Sequence, residues 1–315
     1  MTSRGVLTVG EAMAVVRSEH PLRLGGPTHL TVAGAEANVA IGLARLRHPV
    51  RWFSRLGQDE PGALVARTLR AEGVDLTTVQ YDDAAPTGLM LTDRLPGRNV
   101  RVHYYRSDSA ASRMSPDDVT PELFDDASLL HLTGITPALG PGPAGLTQRL
   151  AEVAANHRVT VVLDVNHRAR LWNRHEARTA LRSLLPYIDV IVASEDELSL
   201  VTEGDDETAM VERLLDGATH ELAVKRARRG ASLFTPDSRY DHPAPPVDVL
   251  DTTGAGDAFC AGYLSATLDG LGPQERLARA VTLSACAVTA VGDWENLPTR
   301  NELDLLGLEA GETVR

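Results

Sequence analysis

Four short apolar runs, Leu129–Leu132, Thr160–Asp164, Ile188–Val192 and Glu221–Lys225, are separated by stretches of helical periodicity near 143–156, 176–184, 195–202 and 207–216. A chain that alternates strand and helix in this way has few solutions. The strands run largely parallel in one sheet, and the helices cover both of its faces, giving an α/β fold of three layers. Val6–Val9 and Arg51–Ser54 are expected to add strands, Ala231–Phe234 and Val247–Leu250 to add edge strands. Helices are expected from Gly34 to Arg47, from Pro61 to a stop at Gly73, from Gly256 to Leu268 and from Pro273 to Ala290.

Two regions break the alternation. Met13–Val16 with Thr28–Val32, and Leu89–Leu91 with Val100–Tyr104 around a Pro96-Gly97 turn, read as extended pieces where a helix would be expected. They predict a small second sheet, either a lid over a site or a plain surface extension. Residues 1–315 read as one domain carrying that attachment.

At 43% hydrophobic and 23% charged residues, the composition is that of an ordinary soluble globular chain. The net charge of −12 argues against a nucleic-acid or anionic-membrane surface, so an anionic substrate would need a local cluster of arginines. Cys260 and Cys286 lie in apolar helical contexts and read as core residues of a protein in a reducing compartment, the cytoplasm. There is no Cys-x-x-Cys and no His-Glu-x-x-His to hold a metal. Glu11 interrupts the first apolar stretch, so no signal peptide is expected, and no run approaches the length of a membrane span.

The most specific stretch is Asp251-Thr252-Thr253-Gly254-Ala255-Gly256-Asp257-Ala258-Phe259. Behind it Phe259, Gly262, Tyr263, Ala266 and Thr267 are spaced as one helix face, so the glycines sit where a loop becomes a helix. Unpaired N–H groups and the positive end of the helix dipole attract phosphate there, and glycine lets an anion approach the backbone. Asp257, in the first turn, is a poor phosphate ligand but a suitable base for a hydroxyl that attacks phosphorus. A glycine-rich turn with a capping aspartate is the plain alternative, and a lone Gly-x-Gly would not exclude it.

The full run resembles the C-terminal signature of the ribokinase-like (PfkB) family of sugar kinases, and the resemblance extends from Gly10 to Pro298. It implies a ribokinase-like fold with a β lid drawn from segments near 12–32 and 87–106, and ATP and Mg2+ as cofactors. It implies Asp257 as catalytic base and Gly254, Ala255 and Gly256 as the anion hole. Ala33-Gly34-Ala35-Glu36-Ala37-Asn38-Val39-Ala40 is similar to the family's Gly-Gly-Ala-x-x-Asn-x-Ala, with Ala33 for the first glycine. By that likeness Gly34 admits the substrate and Asn38 bonds its hydroxyls. Ser194-Glu195-Asp196-Glu197 is a capping box on its own terms. The family has Asn-x-x-Glu here, which implies Ser194 beside the nucleotide and Glu197 as a magnesium ligand through water. Lys225-Arg226-Ala227-Arg228-Arg229-Gly230 resembles a Lys-x-Gly-x-x-Gly turn around the nucleotide phosphates, which implies roles for Lys225, Arg226 and Gly230. Ala227 replaces its first glycine. Lids of two subunits often pack together in the family, so a homo-oligomer is expected, through apolar lid positions such as Val100 and Val102.

Alternation puts Tyr104 and Arg106 on one face of the hairpin strand. Asp164-Val165-Asn166-His167-Arg168 follows a strand end, where open α/β sheets bind ligands. Arg106 and Arg168 in one crevice suit a carboxylate. Leu132–Leu139 and Asp164–Trp172 resemble stretches of the 2-keto-3-deoxygluconate kinases, which also carry Tyr-Tyr-Arg here and Gly-Asp near the C-terminus, in this chain Gly292-Asp293. The likeness implies Tyr104, Arg106, Asn166, Arg168 and Asp293 as substrate contacts, and 2-dehydro-3-deoxy-D-gluconate as the acceptor of the phosphoryl group. Met90 departs from a tyrosine common in those kinases, and Val281 and Ser284 depart from an Asn and a Gly that many relatives carry by the adenine. A kinase of a neutral sugar such as fructose or ribose shares every catalytic part. A non-catalytic sugar-binding regulator is opposed by the intact Asp257. A dinucleotide dehydrogenase is opposed by the place of Gly254-Ala255-Gly256, late in the chain.

Overall fold

The computed structural model describes residues 5–94 and 100–303. The chain runs through β1 (Gly5–Val9), β2 (Met13–Ser18) and β3 (His29–Ala33) before its first helix, α1 (Ala35–Arg45). β4 (Val50–Phe53) follows, then a short pair, β5 (Arg55–Gly57) and β6 (Gln80–Asp82), on either side of α2 (Glu60–Ala71). β7 (Leu89–Arg94) and β8 (Val100–Tyr105) pair antiparallel. From β9 (Ala127–Thr133) the alternation sets in, with α3 (Pro141–Asn156), β10 (Thr160–Asp164), α4 (Arg174–Leu184) and β11 (Val190–Ser194). The short α5 (Leu198–Val201), α6 (Glu207–Leu215) and β12 (Glu221–Lys225) continue it. β13 (Ala231–Thr235) and β14 (Ser238–His242) turn back, and α7 (Ala255–Leu268), α8 (Pro273–Ala287) and α9 (Arg300–Leu303) follow.

The main sheet has the order β14-β13-β12-β11-β10-β9-β1-β4, parallel from β12 to β4 and antiparallel at the β13–β14 edge. Neighbouring residues in each strand feed opposite cores. Val6, Leu129, Val162, Val192 and Ala223 pack with residues of α1, α7 and α8. Leu7, Leu130, Leu163, Ile191 and Leu222 pack with residues of α3 and α4. Burial on both sides is why these strands read as continuous apolar runs, and it produces the three expected layers.

Val247–Leu250 is not an edge strand; that place is taken by β14. Pro243, Pro245 and Pro246 precede it and supply no ladder N–H, and Leu250 N–H instead bonds Val288 O at the end of α8. The β5–β6 pair was not foreseen, because three residues per strand carry no period-two signal. The Pro96-Gly97 turn lies outside the described residues.

The second sheet has the order β3-β2-β7-β8. Met13, Val15, Ala33 and Met90 form its small core, with Val102 against them. Val100 and Val102 are not on its outer face: both line a cleft beneath it. Alternation puts Leu30 and Tyr105 on the opposite face, 61% and 60% exposed.

Close packing of α7 on α8 fixes where the α7 N-terminus points. A Cβ on Gly262 would stand 2.8 Å from Ala280 Cα and from Arg279 O, both backbone atoms that cannot give way. Gly262→Ala gains roughly 0.5–1 kcal/mol of helix propensity but forces about 1–3 kcal/mol of overpacking. The clash should win and lower Tm by about 2–5 °C in a thermal melt; an unchanged or raised Tm would show that α7 and α8 can separate freely.

Candidate active site

The cleft between the second sheet and the C-terminal ends of the main strands encloses about 420 Å³. Gly34, Asn38, Arg168, Gly254, Asp257 and Asp293 line it from the main domain, and Met90, Tyr104 and Arg106 from the lid. Residues separated by more than 200 positions in the sequence, Asn38 and Asp257 among them, thus meet at one place.

Asp257 lies in the first turn of α7 and is 6% exposed. Asn38 Nδ2 donates to its Oδ2 at 2.8 Å and Asn166 Nδ2 to its Oδ1 at 3.3 Å, so both carboxylate oxygens are oriented. Asn166 reaches it because the chain leaves β10 with φ 38, a left-handed conformation that Asn adopts more readily than most residues. Burial pushes the Asp257 carboxyl up to about 6, against the pull of Arg168 and the Asn38 hydrogen bond. The Asn38 amide is therefore turned to Asp257.

Gly254 caps α7 at φ 74. Any Cβ there would collide with the Asp293 carbonyl oxygen, so glycine is required by both conformation and space. Among the described residues the N–H groups of Gly256 and Asp257 have no acceptor. They are open donors at the positive end of a 14-residue helix. Asp293, 8% exposed, is pushed up to about 7 by burial and by the charge of Asp257.

Five arginines line the cleft: Arg17, Arg94, Arg106, Arg168 and Arg170. Arg106 stacks on Tyr104, 5.5 Å from the ring centroid, and its Nη2 lies 2.5 Å from Glu11 Oε2. Glu11 is itself buried, which raises its carboxyl against the pull of Arg106. Arg17 lies 3.6 Å from Asp293 and 3.4 Å from Glu295, and Arg94 2.9 Å from Glu19. Arg168 and Arg170 have no carboxylate partner among the described residues.

At the ends of β11 and β12 Ser194 pairs with Lys225, and the Lys225 side chain reaches back to Asp164 at the end of β10. Lys225 Nζ donates to Asp164 Oδ1 at 2.8 Å and lies 3.5 Å from the Cβ position of Gly256. Burial opposes its charge, but Asp164, with Cys260 and Glu197 adding to it, holds the ammonium above its ordinary range. Glu197, 7% exposed, accepts from His167 N–H at 2.7 Å and Ser194 N–H at 2.8 Å. Gly230 closes the turn after β12, and Ala227 holds the left-handed φ of 49 that a glycine would occupy without strain. Arg226 is turned away, its guanidinium held by Glu195 and Glu207.

Glu11, Arg17, Glu36, Asp164 and Glu295 were not foreseen. Glu36 is wholly buried, accepts from Thr133 and Thr136, and is pushed up to about 7 by burial. The one available signal was a carboxylate inside an apolar run, as with Glu11 and Glu36. Their partners lie about 100 positions away in sequence, so spacing could not supply them.

The family profile described as pfkB family carbohydrate kinase matches residues 4–300. Over 305 residues the chain is 33% identical to the 2-dehydro-3-deoxygluconokinase of Bacillus subtilis (strain 168), covering 94% of this chain and 93% of that protein. Over 279 residues it is 34% identical to Fructokinase-1 of Oryza sativa subsp. japonica, covering 86% of each. The crystal structure of a PfkB protein from Polaromonas sp. JS666 superposes with a TM-score of 0.86 at 31% identity, over 96% of this chain and 99% of that one. A helix N-terminus with open amides, a buried aspartate beside it and a cleft under a small sheet are thus found in a chain that belongs to the pfkB family of carbohydrate kinases, with the ribokinase-like fold.

Proposed function

We propose that the protein transfers the terminal phosphoryl group of ATP to a sugar acid, with 2-dehydro-3-deoxy-D-gluconate, giving its 6-phosphate, as the substrate. The observation that carries this reading is the arginine set of the cleft. A neutral sugar needs hydrogen bonds but no counter-charge, whereas Arg168 stands in the cleft without a carboxylate partner among the described residues. The likeness to the Bacillus subtilis 2-dehydro-3-deoxygluconokinase points the same way. The rice fructokinase supports the alternative, a neutral-sugar kinase with the same catalytic parts. A cytoplasmic location goes with either reading, since both cysteines are free thiols.

In this mechanism the sugar hydroxyl gives its proton to Asp257 as its oxygen bonds to phosphorus and the bond from phosphorus to the ADP oxygen breaks. Asn38 and Asn166 keep the carboxylate aimed, and the open amides of Gly256 and Asp257 receive the charge on the phosphoryl oxygens. Lys225 and Ser194 face the nucleotide side. Among the described residues no three His, Cys, Asp or Glu side chains group to hold a metal directly. Glu197, which accepts only backbone N–H groups, suits a magnesium ion held through water, which would neutralise phosphate charge.

Asp257→Asn keeps the shape and removes the base. Turnover should fall by about 100- to 10,000-fold with ATP-analogue affinity nearly unchanged; a variant with near-parent turnover rules out the base assignment. In the parent, kcat/KM should fall as pH drops through about 6, where Asp257 takes up its proton. Unfolding at these groups does not mimic that limb. Asp257 and Asp293 have folded values raised to about 6 and about 7, so their protonated forms favour the fold, and that stabilisation is lost as pH rises, not as it falls.

Arg168→Ala tests the acid reading. At pH 8, where Asp257 is ionised in both proteins, kcat/KM for the keto-deoxy acid should fall roughly tenfold to a hundredfold, the worth of a charge-assisted hydrogen bond. That for fructose should change little. Equal losses on both sugars, or a parent that prefers fructose, would replace the sugar-acid reading by the neutral-sugar one.

The outer face of the lid, with Leu30 and Tyr105 exposed, is proposed to meet the lid of a second copy. Light scattering should then give at least twice the 33.8 kDa chain mass; a strict monomer at working concentration rejects the contact.

A further inference from the structure

Glu295 stands outside the cleft, yet its carboxylate is shared between two parts of the site. Oε1 accepts from Arg17 Nη1 at 3.4 Å and from Thr31 Oγ1 at 3.2 Å, on lid strands β2 and β3. Oε2 accepts from the N–H groups of Asp293 at 2.8 Å and Trp294 at 3.1 Å. Those two amides belong to the loop whose Asp293 carbonyl packs on Gly254, the residue that caps α7. The loop is shaped around this carboxylate. Gly292 has φ 129, and a Cβ on it would collide with the Glu295 carboxylate. Two further side chains tie the same loop. Trp294 Nε1 donates to Val32 O in β3 at 3.0 Å, and Arg45 Nη1 from α1 donates to the carbonyls of Trp294, Glu295 and Leu297. One side chain thus joins the lid that covers the sugar to the turn that opens the anion hole.

We propose that Glu295 is a positioning residue that couples the seating of the lid on the sugar to the geometry of the Gly254 turn, so that sugar and nucleotide bind with positive cooperativity. Glutamate is needed because all four groups it meets are donors. An amide in its place has one acceptor oxygen and can serve the lid or the loop, but not both. The inference rests on Gly254–Asp257 as the place of phosphoryl transfer, and it is independent of which sugar is used.

The test is the affinity of a non-hydrolysable ATP analogue, adenylyl imidodiphosphate, measured by calorimetry with and without saturating sugar. The sugar is the keto-deoxy acid, or fructose if the parent prefers it. In the parent, sugar should tighten the analogue on the order of tenfold, within the usual range of coupling between sites. In Glu295→Gln that factor should shrink to less than about twofold, with analogue affinity in the absence of sugar little changed. Thr31→Val, which leaves the loop bonds intact, should reduce the coupling in the parent background and not in the Glu295→Gln background. Absence of coupling in the parent, or full coupling in Glu295→Gln, overturns the proposal. A Glu295→Gln chain that melts well below the parent hands the decision to Thr31→Val alone, whose full coupling also overturns it. Retained turnover in Asp257→Asn would instead strike the base assignment on which the inference stands.

Discussion

The site depends on keeping one carboxylate, Asp257, ionisable although it is almost wholly buried. Three acids raise or share its field: Asp164, Asp293 across the α7 cap, and Glu36, two residues before Asn38 on α1. Left alone, such a group would stay protonated and useless as a base. The fold offsets this with Lys225 against Asp164, Arg168 at the cleft, two side-chain amides on Asp257, and the positive end of α7. The outcome is a carboxyl group that titrates close to neutrality. Such a group would be basic enough to take a hydroxyl proton, as proposed, and acidic enough to be ionised at neutral pH.

The same balance explains the arginines. A chain of net charge −12 would repel an anionic substrate, and the cleft reverses that sign locally. Three of its five arginines are held by carboxylates of the chain itself, so they shape the lid as much as they attract a ligand. Arg106 is the instructive case. From the sequence it is one of a symmetrical pair with Arg168. In the fold it is the partner that makes the burial of Glu11 tolerable, and Arg168 is left with the exposed charge.

Much of the fold was legible because period and burial are local signals. Strands β9 to β12 and the helices between them announce themselves by apolar runs alternating with amphipathic ones, and the Asp251–Phe259 run marks the site by its glycines and its aspartate. Long-range pairing was not legible. Asn38 reads as a residue of the site, and only the fold shows that its amide also bonds Asp257; Arg226 reads as a free cation, and only the fold shows its guanidinium paired with Glu195 and Glu207. Val247–Leu250 has the composition of a strand, and only the prolines before it and its bond to Val288 show why it is none. Side chains whose partners lie elsewhere in the chain carry no mark of that partnership.

The lid is an insertion in two pieces, β2–β3 and β7–β8, and each piece leaves and rejoins the main sheet without altering its strand order. Groups that would sort one sugar from another are concentrated on those pieces and on the turn after β10, whereas the base and the open amides belong to α7. Substitution at lid positions that face the cleft, away from the Glu295 contacts, would therefore change what is accepted and leave Asp257 and the α7 amides as they are. A family built on this plan can diversify its diet quickly and its reaction hardly at all, and the separation of two sheets is the architectural reason.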